Sequence, residues 1–401
     1  MKTIFDEVIA AWASTIDEIG LLAEYQQKAT TVKYATEHCF KLEDYTPDAF
    51  PPGNELLHEI PAEAPLVYEE YSLDANGLPC YCRTINKDGQ PISAGFYRYA
   101  PEKVEFVQYN LRYRSPHVFK RMEFAEDRKI AFLHAVANGG GFKFAGMTPQ
   151  QAIDAAKADK NSMFLSVQEY EYENGRIVRD ISHNRAPGAG DYDLTGHYTY
   201  DQNGKLIEIK DVSPQGAERL RYAAWDEQEG LEGLADRLAH EMAQAIVTAL
   251  LETDIKTPLA ILQLTYHYAD VYMPTLNPLS VTEKEEVTAD NTGNVWEGLF
   301  VNDNYLDHTR PKGIEKTFTQ FMNQVRSHEA HVMARGMLQK TSALLTASRL
   351  FDRIPVDPEF FAYAIDHSIE GHDSEEFKEI LLNCGMPEQQ YEEWDKRGWL
   401  R

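Results

Sequence analysis

A chain of 401 residues is too long for one ordinary hydrophobic core, and 43% hydrophobic with 26% charged side chains is a globular balance, so two folded domains are expected and wholesale disorder is not. Its 64 acidic residues outweigh 39 basic ones for a formal charge of −25. Division at residue 220 gives 33 acidic and 23 basic residues, then 31 and 16, so −10 and −15. Neither half hides the basic stripe of a duplex-binding surface, which argues against nucleic acid as a partner. A basic protein is the expected partner, because a negative field speeds encounter with positive surfaces.

In chain order, the first 29 residues set Ile4, Phe5, Val8, Ile9, Trp12, Ile16 and Ile19 at helical spacing, predicting one long amphipathic helix. Asp6 and Glu7 interrupt what would otherwise read as a leader, and the acidic polar face points to packing on protein rather than on a membrane. No uncharged apolar run approaches the ~20 residues of a spanning helix, so a membrane is not an expected partner and the cytoplasm is the expected location. The four cysteines are sparse, and Cys80 and Cys82, two apart in a strand, have no second close pair with which to complete a zinc site. They read as reduced structural thiols. Residues 45–65 carry five prolines and read as an ordered crossing loop.

From Leu66 the pattern becomes a series of hairpins. Turns are expected at Asn76-Gly77, Asp88-Gly89, Pro101-Glu102, Asn174-Gly175 and Asn203-Gly204, each between two strand-like stretches. KRMEFAEDRKIAFLHAVANGGG is compatible with a helix by periodicity, yet its rhythm matches EYEYENGRIVRDISHN. It is therefore read as a hairpin turning at Glu126-Asp127. TPQQAIDAAKAD is a helical insertion with Thr148 as its cap and Pro149 in its first turn. The irregular turn spacing excludes a solenoid of fixed period. It predicts an antiparallel meander, apolar on one face and presenting Tyr, Arg and Glu as an exposed platform on the other.

Tyr198, Tyr200, Asp201, Gly204, Lys205 and Leu206 resemble the repeat unit of YD-repeat, Rhs-type toxin shells, and Tyr172, Gly175, Arg176 and Ile177 resemble it less fully. Such shells need many tandem copies, so a handful of irregular hairpins excludes one. Short stretches of these hairpins are similar to those of immunity proteins in bacterial polymorphic toxin systems. That resemblance implies a role in neutralising a toxin.

After Trp225 the pattern changes. GLADRLAHEMAQAIVTALLE predicts an amphipathic helix, PLAILQLTYHYADVYMP an apolar strand opening a turn, and residues 313–349 a second long helical stretch. PEFFAYAIDHS is a strand, and DSEEFKEILLNCG and PEQQYEEWDKRGW are short helices. The expected architecture is α+β: residues 1–222 form an N-terminal helix with a large antiparallel meander, and residues 223–401 a smaller α/β domain. The stretch from PEFFAYAIDHSIEGHD to the C-terminus is similar to the tails of small bacterial α/β proteins related to immunity proteins, with no catalytic motif to transfer.

The residues with chemistry to offer are few. SHEAHVMARGM spaces His328 and His331 at i and i+3, not at the i and i+4 of the HExxH zinc motif, so Glu329 is misplaced as its base. IDHSIEGHDSEE gathers Asp366, His367, His372 and Asp373, which could bind a divalent ion. Helix capping by Asp373-Ser374, with Glu375 and Glu376 in the first turn, explains most of that stretch without a ligand. NGGGFKFAG and APGAGDYD lack the spacing of a phosphate cradle, and there is no GxSxG. The sequence assigns no catalytic, cofactor or metal residue. It favours a protein-binding role over the alternative of a metal-dependent hydrolase built on His328, His331, His367 and His372.

Overall fold

The computed structural model describes residues 4–35, 39–40, 42, 56–60, 67–86, 88–126, 128–226, 228–253, 255, 257–267, 271–290, 311–328, 331–347, 353–366 and 374–397. The chain divides into two compact units, Met1–Tyr222 with Ser327–Glu329, and Ala223–Arg326 with Ala330–Arg401. Most of the proline-rich stretch 45–65 lies outside the described residues.

The predicted N-terminal helix is broken. Helix α1 (Phe5–Ser14) passes into a 3-10 turn (Ile16–Leu21) and then α2 (Leu22–Gln27). The Ser14 and Thr15 hydroxyls donate back to the carbonyls of Ala11 and Trp12, at 2.7 and 2.6 Å, while the Thr15 carbonyl accepts from Tyr109 Oη at 2.6 Å. Hydroxyls that occupy helix carbonyls in this way compete with the regular ladder, and a tighter turn follows. The apolar stripe still packs on protein, with Phe5, Val8, Ile9 and Trp12 buried.

The meander is a 12-stranded sheet in sequence order. Its strands are β1 (Thr31–Ala35), β2 (Val67–Leu73), β3 (Pro79–Asn86), β4 (Pro91–Ala100), β5 (Lys103–Asn110) and β6 (Ser115–Ala125). Then follow β7 (Arg128–Ala137), β8 (Met163–Glu173), β9 (Arg176–Ala186), β10 (Gly190–Tyr200), β11 (Leu206–Val212) and β12 (Glu218–Ala223). The ambiguous segment is indeed a hairpin, with Ala125 opposite Arg128. Between β7 and β8 lie a 3-10 segment (Asn138–Phe144), interrupted by left-handed backbone at Gly139, Gly140 and Gly141, and α3 (Pro149–Ala158), whose Thr148 and Gln151 form a reciprocal capping box.

Four of the hairpins close on one chemical plan. In Asp74–Leu78 the Asp74 carboxylate accepts from the amides of Asn76 and Leu78, at 2.8 and 2.9 Å, and the Gly77 amide returns to the Asp74 carbonyl. Asn86–Gln90 and Asp201–Lys205 repeat this with Gly89 and Gly204, and in Ser213–Ala217 the serine hydroxyl stands in for the carboxylate. The Asn-Gly pairs at 76–77 and 203–204 therefore do not make two-residue turns. Each glycine is the left-handed third residue of a loop locked by the residue that opens it. The Asn174-Gly175 turn is the true two-residue form, with both residues at positive φ.

The exposed aromatic platform is not formed, because both faces of the sheet bury apolar clusters. One face, carrying Phe96, Val107, Phe119 and Leu165, packs against α1, the 3-10 segment and α3. The other holds Tyr71, Tyr97, Phe106, Met122 and Phe132 together with Cys39 and Leu42. Tyrosine serves here as a core residue whose ring is buried and whose hydroxyl finds main-chain partners. Tyr97 donates to the Phe40 carbonyl at 3.0 Å, and Tyr71 accepts from the Cys39 amide at 2.8 Å.

In the second unit, β13 (Leu259–His267) lies between β14 (Val271–Ser280), antiparallel to it, and β15 (Val356–Asp366), parallel to it. Leu259, Ala260, Ile261, Leu262 and Leu264 are all buried, as expected of a central strand covered on both faces. Around this sheet are α4 (Gly230–Leu251), α5 (Val281–Asp290), α6 (Glu315–His328), α7 (His331–Ala347), α8 (Ser374–Asn383) and α9 (Glu388–Lys396). The predicted helical stretch 313–349 is helical over Glu315–His328 and His331–Ala347, with residues 329–330 outside the described residues. No helix among the described residues is long and apolar enough to cross a membrane.

Candidate functional site

His328 is the last residue of α6 and His331 the first of α7, with residues 329–330 outside the described residues. His331 Nδ1 lies 3.0 Å from Tyr272 Oη, which engages that ring nitrogen within the fold. His367, His372 and Asp373 lie outside the described residues, and Asp366 is buried at the end of β15. Among the described residues no group of three or more His, Cys, Asp or Glu side chains could hold a metal ion. The cysteines are free thiols and buried, and burial raises Cys82 well above the ordinary thiol range.

A concavity lies on the meander. Because alternate residues of a strand share a face, the register sets side chains in rungs across one side of the sheet. Lys120, His134, Ser166, Asn184 and Tyr192 stand opposite one another on β6 to β10. The next rung is Phe132, Gln168, Ser182 and Leu194 on β7 to β10. Both rungs line a cleft of ≈ 400 Å³, together with Leu42, Phe164, Asp211, Arg219 and Arg221. Strands β6 and β12 would be about 29 Å apart in a flat sheet with ordinary ~4.8 Å spacing. Residues from both border one cleft, so the sheet curls around it.

The electrostatics of the cleft run against those of the whole chain. Lys120, Arg219 and Arg221 face it and Asp211 alone opposes them among its lining residues. Burial, reinforced by the Lys120 charge, pushes the His134 imidazole down to about 3, so it is neutral at pH 7. Burial raises the Asp211 carboxyl above its ordinary value although Arg221 and Arg219 pull it down. Lys120 Nζ donates to the Leu42 carbonyl at 3.2 Å. Gln168 is 2% exposed; its Oε1 accepts from Tyr170 Oη at 3.0 Å, and its Nε2 has no acceptor among the described residues. A buried donor left in that state costs about 1–3 kcal/mol.

A charge cluster closes one end. Arg221 Nη2 reaches Asp180 at 2.6 Å and Asp211 at 2.9 Å, from β12 across to β9. Gly196 on β10 stands opposite both Asp180 and Asp211. A Cβ at this position would collide with Arg221 Nη2 and Asp180 Oδ2, so the missing side chain is what gives the guanidinium its path. Asp180 is completely buried, which makes this bridge the means by which its charge is tolerated.

None of these residues stood out in the sequence as a site. The available signal was faint: Ser166 and Gln168, then Ser182 and Asn184, put polar groups at i and i+2 inside strands, with Val167 between the first pair, His183 between the second, and Leu165 and Ile181 just before them. Period-two polarity marks a face, but not whether that face is flat or folded around a space. No family model matches this chain, and no curated protein matches it.

Proposed function

We propose that the protein is an intracellular, cytoplasmic protein-binding protein that captures a basic partner, acting as an immunity protein that neutralises a cognate bacterial toxin by occluding it. The observation that supports this reading is how the chain uses its positive charge. Arg83 is held by Glu70, Arg98 by Glu18 and Glu105, Arg121 by Glu105, Arg179 by Glu171, Arg185 by Asp191 and Arg237 by Glu229. With 39 basic residues against 64 acidic, one-to-one pairing leaves a surplus of carboxylates to set the outward field. Such a field steers a basic protein toward the surface, and buried aromatic and charged contacts then hold it.

The test is affinity capture from the native cell, co-expression with the basic protein recovered, and stopped-flow association at two salt concentrations. Co-expression should relieve the partner's toxicity. Raising salt from ~50 to ~500 mM shortens the screening length from about 14 to about 4 Å. The on-rate should then fall by roughly tenfold or more while the off-rate changes less. A flat on-rate, or a partner whose toxicity co-expression leaves intact, would overturn the reading.

A further inference from the structure

We propose that the cleft on β6–β12 binds a small organic anion, a carboxylate or a phosphate monoester carried on an apolar body. The cleft is independent of the capture of a basic partner, since its own lining charge has the opposite sign to the chain's. Its ≈ 400 Å³ falls within the range of small-ligand pockets and far exceeds one bridging water, whose share of liquid volume is about 30 Å³.

Four observations converge on the chemistry. Cationic side chains gather where the chain as a whole is strongly acidic. Arg219 and Arg221 are shared with Asp211 and Asp180, while Lys120 has only the Leu42 carbonyl as a hydrogen-bond partner within the described fold. An anion entering here therefore exchanges bulk water chiefly for the Lys120 ammonium. Phe132, Phe164 and Leu194 supply an apolar wall, which inorganic phosphate could not use. The buried Gln168 amide is a donor without an acceptor among the described residues, and a ligand oxygen supplies one. His134, neutral at pH 7, adds a hydrogen-bonding group without adding a proton to the cleft's charge.

The full chain would be titrated by calorimetry with benzoate, phenyl phosphate, inorganic phosphate and benzyl alcohol. Benzoate or phenyl phosphate should bind one to one, and whichever binds more tightly identifies the anionic group. Benzyl alcohol and inorganic phosphate should each bind at least about tenfold more weakly, lacking respectively the charge and the apolar body. Gln168→Leu and Lys120→Gln should each weaken the favoured anion by about tenfold or more, with melting temperature checking the fold. Should Gln168→Leu not fold, Lys120→Gln carries the test, since its ammonium contacts only the Leu42 carbonyl among hydrogen-bond partners within the described fold. Failure of both organic anions to bind at millimolar concentration would overturn the proposal. So would alcohol or inorganic phosphate binding as tightly as the anions, or unchanged affinity in folded Lys120→Gln.

Discussion

The two units of this chain build sheets in opposite ways. In the meander every strand lies beside its neighbours in sequence, and apart from β1 and β2, which residues 36–66 separate, each pairing is closed by a turn of a few residues or, between β7 and β8, by a short helical insertion. In the second unit Ile261 of β13 pairs with Phe361 of β15, a hundred residues later, in a parallel arrangement that no tight turn can make. The first sheet is specified by local chemistry repeated along the chain. The second depends on packing of distant apolar segments against one another, and the loop-closure entropy must be met before those contacts form.

If that contrast is right, the second unit should be most sensitive to lost volume. Phe361 is fully buried, lies parallel to Tyr363 at 6.4 Å and meets Trp394 edge-on at the same distance. Phe361→Ala should destabilise this unit by about 3–5 kcal/mol, read as a lower urea midpoint for the transition that reports on it. A loss below about 1 kcal/mol would mean that the interior relaxes around the gap and that the parallel pairing rests on something other than this packing.

The meander should instead be sensitive where a long-range polar contact has been threaded through it. Gly196→Ala adds one methyl group but sets it in the path of Arg221 to the buried Asp180. The expected cost is about 1.5–3 kcal/mol, the range for a lost hydrogen bond to a charged group. The double variant with Asp180→Asn should show non-additivity, because both substitutions act on the same bridge. Strict additivity would place the cost in the strand itself.

The same contrast explains what could be read in advance. Turns at Gly77, Gly89, Gly175 and Gly204 were legible because the residues that make them are adjacent, and the Glu126-Asp127 hairpin emerged from its match in rhythm to a neighbour. The break after Ser14 was legible only in part: the Ser14 and Thr15 hydroxyls that compete for helix carbonyls are local, but the Tyr109 hydroxyl that takes up the Thr15 carbonyl comes from far along the chain. The fate of the tyrosines was hidden: alternation places them on a face, but the sequence does not say that main-chain groups near Cys39 and Phe40 will meet their hydroxyls. The cleft is the extreme case. Lys120 and Arg221 come to one space through sheet curvature, which no short stretch of sequence encodes by itself.

The smallest effect separates two turns with the same local plan. Gly77 has φ +78° with nothing within 4 Å of where a Cβ would stand, and Gly204 has φ +85° beneath the guanidinium of Arg176. Arg176 in turn lies 5.6 Å from the centre of the Tyr200 ring. Gly77→Ala should therefore cost only the strain of a left-handed residue, about 1–2 kcal/mol. Gly204→Ala carries the same strain and also displaces the cation from its seat on the ring, an interaction worth roughly 0.5–1 kcal/mol at an exposed site. Urea unfolding of the two variants should show Gly204→Ala as the more destabilised by that increment, and Arg176→Ala should abolish the difference. Equal losses in the two single variants would mean that Arg176 swings aside without cost. The hairpins would then be stabilised by their Asp-locked turns alone.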